Sequence, residues 1–270
     1  MRAASYALKP SALARTLGLQ LCPTAQLLWG LGYPESAVAD AERASTAARE
    51  IGHAASLMHA LAVSTMCLIL SGNYDASTAR CDELVAMADK KGSALWRAWG
   101  TLNRGCVLVL SGRASEAEQV IRTAIVAFRS TGATVWTPCY LTFLARALSA
   151  IGHFEEALAF ARDAMAITRT SGELWFVSDI HRTIGEIALL GSEPNLTEAQ
   201  SQFVRALEIA RERQARSFEL RAAISLARFW CEQERRVEAR DVLGAAYSWF
   251  TEGFGTTDLK EARALLEELG

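Results

Sequence analysis

The sequence predicts an all-α fold, a right-handed α-solenoid of about six helical hairpins followed by a C-terminal capping helix. Only 5 of the 270 residues are proline, and the chain is rich in Ala, Leu, Arg and Glu, which have high helix propensity. Glycines recur along the chain every 40 residues. The segments between them carry apolar residues at helical spacing, as in Val120, Ile121, Ala124 and Phe128.

The repeating glycines form two series, and each series marks one turn per unit. The first contains Gly32, Gly72, Gly112 and Gly152, and the second, half a period away, contains Gly52, Gly92, Gly132 and Gly172. Glycine enters the left-handed conformation at a helix C-terminus without strain, so each series marks a place where a helix ends. Two helix ends per unit predict a helical hairpin in each unit.

Small residues inside the predicted helices indicate how the two helices of a hairpin pack. The second helix of a unit carries alanines seven residues apart, which lie on one face: Ala37 and Ala44, Ala117 and Ala124, Ala157 and Ala164, Ala199 and Ala206, Ala239 and Ala246. The preceding helix carries a further small residue in register: Gly105, Ala145, Gly185 or Ala227. Small residues on facing helices predict a close approach of the two helix axes.

This pattern of small, glycine, aromatic and alanine positions resembles the tetratricopeptide repeat (TPR), although that repeat has about 34 residues. The surplus residues lie between each second helix and the next first helix. An aromatic ring recurs there at Trp96, Trp136, Phe176 and Phe218, with Gln214 in the place of a glycine before the last ring. These rings form either a ligand-stacking ladder or wedges between adjacent repeats, and their regular spacing favours wedges.

The C-terminal part of the chain has a second, closer resemblance. The segments 215–230, 247–254 and 258–262 resemble the C-terminal repeat region of large bacterial signalling proteins. Those proteins join a class III adenylate or guanylate cyclase domain, or a DNA-binding domain, to an ATPase module and TPR-like repeats. The resemblance covers roughly residues 27–270 and implies a regulatory module, with no cyclase or ATPase motif in this chain.

The chain divides into three predicted parts. Residues 1–24 are a divergent leader with Pro23 inside what would be the first helix, residues 25–256 are the TPR-like repeats, and residues 257–270 are the capping helix. We expect the leader to be poorly ordered or a partial helix. Thr257 or Asp258 is the predicted N-cap of an amphipathic helix that ends at Leu269.

Composition and motifs exclude several classes of function. The net charge of −2 gives no reason to expect a nucleic acid as partner, and no apolar run approaches the roughly 20 residues that span a membrane. Six cysteines without a CxxC pair predict buried thiols in a reducing cytoplasm. No phosphate-binding loop, nucleophile elbow or metal-binding HExxH pair occurs, so we expect neither an enzyme nor a bound cofactor or metal. His53 and His153 follow turn glycines and are predicted to be exposed.

By analogy with TPR proteins, the first helix of each hairpin lines a concave groove that binds a protein or peptide segment. The predicted groove residues are His59, Met66, Trp99, Leu102, Arg146, Asp179, Arg182, Glu186, Arg221 and Arg228. The first four make an apolar half, in which Trp99 is an anchor. The remaining half has four arginines against two carboxylates, which favours an acidic partner segment. The alternative for Asp179, Arg182 and Glu186 is pairing along one helix at i, i+3 and i+4 spacing.

The predicted function is therefore a non-enzymatic, cytoplasmic interaction module. The second resemblance implies that it is regulatory and forms the C-terminal part of a cyclase-type signalling protein. The alternative is a regulatory domain of an adenylate cyclase or transcriptional regulator that senses a small-molecule effector. Capture of a partner protein would support the interaction module, and binding of a metabolite would support the small-molecule sensor.

Overall fold

The computed structural model describes residues 24–270, so residues 1–23 of the predicted leader, including Pro23 and Cys22, lie outside the described residues. Between residues 24 and 270 the only regular secondary structure is helical. In chain order the helices are α1 (24–30), α2 (Pro34–Ile51), α3 (Ala54–Leu70), α4 (Tyr74–Lys91), α5 (Ala94–Leu110), α6 (Ala114–Ser130), α7 (Thr137–Ala150), α8 (Phe154–Ser171), α9 (Val177–Ala188), α10 (Leu196–Glu212), α11 (Arg216–Cys231), α12 (Arg236–Tyr247) and α13 (Thr257–Leu269).

Consecutive helices pair as antiparallel hairpins and stack side by side. Helices α1 to α12 form six hairpins within the described residues, and α13 packs against α11 and α12. First helices also contact first helices of the next unit, as α5 contacts α7 and α7 contacts α9. The all-α solenoid of about six hairpins predicted from the sequence is therefore confirmed.

The turn after α4 illustrates why the glycine period marks helix ends. Gly92 caps this helix with φ 64° and ψ 30°, in the left-handed region that favours glycine. Gln214 takes the corresponding place after α10 and adopts φ 55°. The alignment of Gln214 with the glycine series is thus confirmed by its backbone conformation.

The small residues lie where the helices of a hairpin touch. A Cβ atom at Gly105 of α5 would lie 2.3 Å from Cγ1 of Ile121 in α6. A Cβ atom at Gly185 of α9 would lie 2.7 Å from Cε1 of Phe203 in α10. The seven-residue alanine pairs are buried throughout, which confirms the predicted close packing of the two helices.

The recurring aromatic rings pack between adjacent repeats. The Trp136 and Trp99 ring centroids are 5.4 Å apart, and the Phe176 and Phe218 centroids are 5.7 Å apart in an edge-to-face arrangement. Trp136, Phe176 and Phe218 are buried, and Trp96 stacks on Trp99. The wedge interpretation is therefore confirmed for these rings.

The last helix begins earlier than the predicted amphipathic segment. Its N-cap residue is Thr256, so neither Thr257 nor Asp258 is the cap, and the Thr256 side chain makes no capping hydrogen bond. Asp258 instead accepts a hydrogen bond from Arg221 of α11. This contact to another helix replaces the local capping bond that the sequence suggested.

The two ends of the solenoid meet in a seam, which we define as the contact of residues 24–36 and 70–72 with residues 215–221 and 249–258. The Trp29 and Phe218 rings lie edge to face with centroids 5.0 Å apart. The backbone N–H of Ser36 donates to Oε1 of Glu252 over 2.8 Å. The first hairpin therefore packs against the last ones.

Candidate functional site

A central cavity of about 320 Å³ lies on the inner side of the solenoid. Residues of six helices line it: Tyr74 of α4, Leu110 of α5, Arg146 of α7, Arg182 and Glu186 of α9, Arg221, Ile224, Ser225 and Arg228 of α11, and Thr257, Asp258 and Glu261 of α13. Five of the ten predicted groove residues are among them. This size falls within the range of ligand-binding pockets in proteins.

The deepest part of the wall is a network of charges between α7 and α9. Arg146 Nη2 lies 2.6 Å from Asp179 Oδ2, and Arg182 Nε lies 2.8 Å from Asp179 Oδ1. Arg182 also pairs with Glu186, and Arg146 Nε donates to Thr183 Oγ1 over 3.0 Å. The pairing of Asp179, Arg182 and Glu186 along one helix is therefore present, and Arg146 extends it to the neighbouring repeat.

Asp179 is fully buried beneath these arginines. Burial alone raises the pKa of a carboxyl group, but the charges of Arg146 and Arg182 outweigh it and hold the pKa of Asp179 well below its usual range. The same carboxylate accepts hydrogen bonds from both guanidinium groups. Asp179 therefore fixes the orientation of two arginines that line the cavity.

Two further arginines reach the cavity from α11 and pair with α13. Arg221 Nε donates to Asp258 Oδ2 over 2.7 Å, and its Nη2 donates to the backbone oxygen of Leu70 over 2.8 Å. The guanidinium carbon of Arg221 also lies 4.7 Å from the centroid of the Trp29 ring. Arg228 Nη1 pairs with Glu261 Oε1 at 2.8 Å.

The sequence prediction did not include the carboxylates of α13. Four carboxylates, counting the buried Asp179, pair with the arginines of the wall: Asp179, Glu186, Asp258 and Glu261. The wall contains four arginines. The spacing of three residues between Asp258 and Glu261 places both on one face of α13, but no motif in the sequence indicates that this face meets α11. The wall therefore carries no net charge.

The predicted apolar half of the groove is not part of this cavity. Met66 and Leu102 are fully buried, and Trp99 is 7% exposed between Trp96, Phe128 and Trp136. His59 is half-buried, with its ring 5.9 Å from that of Trp96, and burial lowers its pKa. Met66 faces neighbouring helices because residues 60–70 of α3 are buried on every side of the helix.

No metal centre is evident in the part of the chain that the structure describes, where no cluster of three His, Cys, Asp or Glu residues could hold an ion. His53 and His153 are exposed in their turns, as predicted. The cysteines at 67, 81, 106 and 139 are buried and free, and Cys231 is half-buried. No helix among residues 24–270 is both long and apolar enough to cross a membrane.

Comparison with solved structures finds the same TPR-like helical fold in several proteins. The apo form of RapI is 14% identical, with a TM-score of 0.63 over 94% of this chain and 85% of that chain. The Rap conjugation gene regulator of plasmid pLS20, in complex with the Phr* peptide, is 15% identical with a TM-score of 0.62, over 94% of this chain and 63% of that chain. A STAND ATPase with a tetratricopeptide repeat sensor from Pyrococcus horikoshii is 15% identical with a TM-score of 0.50, over 95% of this chain and 38% of that chain.

No protein-family model matches the sequence, and no curated protein matches it significantly. The likeness to the solved structures therefore establishes a TPR-like helical fold.

Proposed function

We propose that the protein is a non-enzymatic regulatory module that binds a peptide segment of a partner in the central cavity. The observation that carries this proposal is the convergence of Arg146, Arg182, Arg221 and Arg228 from three successive hairpins on one cavity. The likeness in fold to a Rap regulator that is in complex with the Phr* peptide supports a peptide as the ligand.

The energetics of the charged wall also support a role in recognition. Desolvating ion pairs is costly, and apolar side chains of similar volume often stabilise a fold as well or better. The Arg146, Asp179 and Arg182 side chains are 13%, 0% and 14% exposed, so they bear most of this cost. Preoriented guanidinium groups at a cavity are suited to binding carboxylate or carbonyl oxygens of a ligand.

The charge balance defines the chemistry of the proposed peptide. The sequence suggested an acidic segment, because it counted four arginines against two carboxylates. Asp258 and Glu261 neutralise that excess, so an acidic peptide gains no net long-range attraction. We propose a segment that carries both signs, with a carboxylate near Arg228 and a donor near Glu186 or Glu261.

We also propose that the module works within a cyclase- or ATPase-type signalling architecture. The STAND ATPase that carries a tetratricopeptide repeat sensor supports this arrangement, since this fold corresponds to 38% of that chain. Sequencing the genomic DNA upstream of the Met1 codon tests the proposal. An open frame that encodes an ATPase or cyclase domain would support it, and a frame without either would count against it.

Peptide binding is tested by selecting a random-peptide display library on the purified chain and measuring the selected peptides by fluorescence polarisation. Arg228 is the residue to change, because its side chain is 58% exposed and its loss leaves the buried network intact. Arg228→Ala should weaken binding about tenfold, the effect expected for one charged hydrogen-bonded contact.

The matched control is Arg205→Ala, which removes an arginine of similar exposure, 49%, that pairs with Glu208 outside the central cavity. This variant should bind the selected peptides like the wild type. Equal binding by Arg228→Ala, or no peptide enriched above an unrelated helical protein, would overturn the assignment to the central cavity.

A further inference from the structure

A second cavity, of about 450 Å³, lies at the seam where the two ends of the solenoid meet. Its wall is mostly apolar and is formed by Trp29 and Leu31 near α1, Leu70 at the end of α3, Trp175 before α9, and Ala215 and Phe218 near the start of α11. None of the residues that line it also lines the central cavity. It is therefore a separate site.

Aromatic rings that pack against one another make part of this wall rigid. The Phe218 ring lies edge to face with Trp29 at 5.0 Å and contacts Trp175 at 6.4 Å between centroids. Leu27 and Leu31 line the same cavity and remain 66% and 42% exposed. Large apolar side chains left uncovered beside a cavity are typical of ligand-binding sites.

Two hydrogen-bond donors of the cavity, on Gln26 and Arg213, are available to a ligand. Gln26 Nε2 is buried and has no hydrogen-bond partner among residues 24–270. Arg213 lies in the same wall, is exposed, and forms no ion pair with any residue between 24 and 270. A buried donor without an acceptor is unfavourable, so the Gln26 amide would gain from a ligand that supplies an oxygen acceptor. The exposed Arg213 guanidinium group would form a charged hydrogen bond with a carboxylate of the same ligand.

We propose that the seam cavity binds a small carboxylate with a flat apolar body. The body would lie against Trp29, Trp175 and Phe218, and the carboxylate would accept hydrogen bonds from Arg213 and Gln26. This ligand would contact both ends of the solenoid at once, so its binding would stabilise the closed seam. The proposal does not depend on peptide binding in the central cavity.

The experiment uses the full chain and 2-naphthoate as the probe, with 2-naphthamide as a neutral molecule of the same shape. Isothermal titration calorimetry measures the affinities, and thermal unfolding measures stabilisation. The expected result is saturable binding of one 2-naphthoate per chain, a raised melting temperature, and weaker binding of 2-naphthamide. Arg213→Gln should remove the preference for the carboxylate, which we expect to be about tenfold.

Gly30→Leu should block the site, since Gly30 lines the cavity and a Cβ there meets no atom within 4 Å. Gly255→Leu is the matched control, because a Cβ at Gly255 also meets no atom within 4 Å and this glycine does not line the cavity. We expect at least a tenfold loss of 2-naphthoate affinity for the first variant and none for the second, with helical circular dichroism confirming that both variants fold.

Two results would overturn the proposal. One is the absence of 2-naphthoate binding to the wild type at about 1 mM. The other is binding that Gly30→Leu leaves unchanged and Arg228→Ala weakens, which would place the probe in the central cavity.

Discussion

Ser217 donates a hydrogen bond from its hydroxyl group to the backbone carbonyl oxygen of Trp29 over 2.5 Å, although the two residues are 188 positions apart in sequence. Helical repeat proteins are held together mainly by contacts between neighbouring units. This bond joins the first hairpin to the sixth. The seam therefore adds a long-range term to the stability of this solenoid.

The seam predicts a large effect of removing Arg221. Arg221→Met removes the pair with Asp258, the bond to the Leu70 carbonyl and the contact with Trp29, and it leaves Asp258 unpaired. We expect a loss of about 2–4 kcal/mol in the free energy of unfolding, measured with urea. Arg263→Met is the control, since the Arg263 side chain is 70% exposed and its loss should have almost no effect. Equal effects of both variants would contradict the closed seam.

Close helix packing predicts opposite effects of alanine at two helical glycines. Gly105→Ala would bring a Cβ to 2.3 Å from Ile121, and the overpacking should destabilise the protein by about 1–3 kcal/mol. Gly244→Ala places a Cβ 4.0 Å from Leu266, an ordinary contact, and should stabilise α12 by up to about 1 kcal/mol. Thermal and urea unfolding measure both. A neutral Gly105→Ala would show that α5 and α6 are less tightly packed than described.

The charged network predicts a pH dependence centred on Asp179. Asp179→Asn leaves Arg146 and Arg182 buried without their shared carboxylate and should cost about 3–5 kcal/mol at pH 7. Because folding lowers the pKa of Asp179, its stabilising effect is present above the unfolded pKa of about 3.9 and is lost as the pH falls further.

The difference in unfolding free energy between the wild type and Asp179→Asn should therefore shrink below about pH 4. Urea unfolding at a series of pH values measures this difference. Asp82→Asn, which removes an exposed pair with Arg104, is the control and should cost no more than about 1 kcal/mol at any pH. A difference that is constant down to pH 2 would argue against a lowered pKa of Asp179.

Burial predicts unequal reactivity of the cysteines. It raises the pKa of Cys67 and of Cys81 to about 12, so few of these thiols are ionised at pH 8. Among the cysteines of residues 24–270, iodoacetamide should modify the half-buried Cys231 first, and it should leave Cys67 and Cys81 unmodified until urea unfolds the chain. Mass spectrometry of peptides measures the order. Modification of Cys67 at the rate of Cys231 in the native protein would contradict the described core.

The sequence was sufficient to predict what recurs in every repeat. Gly105, the alanine pairs and Trp136 could be assigned because each repeat places the same residue types at the same offsets, and their contacts are local. The seam could not be predicted in this way, since the contacts of Trp29 and Arg221 occur once and depend on how far the stack curves.

The predicted groove shows the same limit within one set of residues. Met66 and Arg146 occupy comparable positions in first helices, but Met66 is covered by neighbouring helices and Arg146 faces the central cavity. Which of the two is accessible depends on what lies across the solenoid. For Arg228, the residue across the solenoid is Glu261 of α13, which forms an ion pair with it. The repeat pattern of the sequence does not indicate that contact.

The bond between Arg221 and the carbonyl group of Leu70 also has a consequence for synthesis on the ribosome. Arg221 is added 151 residues after Leu70, which takes about 8–30 s at about 5–20 residues per second. During that interval the first hairpin has emerged and the surface that covers Trp29 does not yet exist. The nascent chain therefore carries an uncovered indole ring until α11 has been made, and it is a candidate substrate for chaperones during that time.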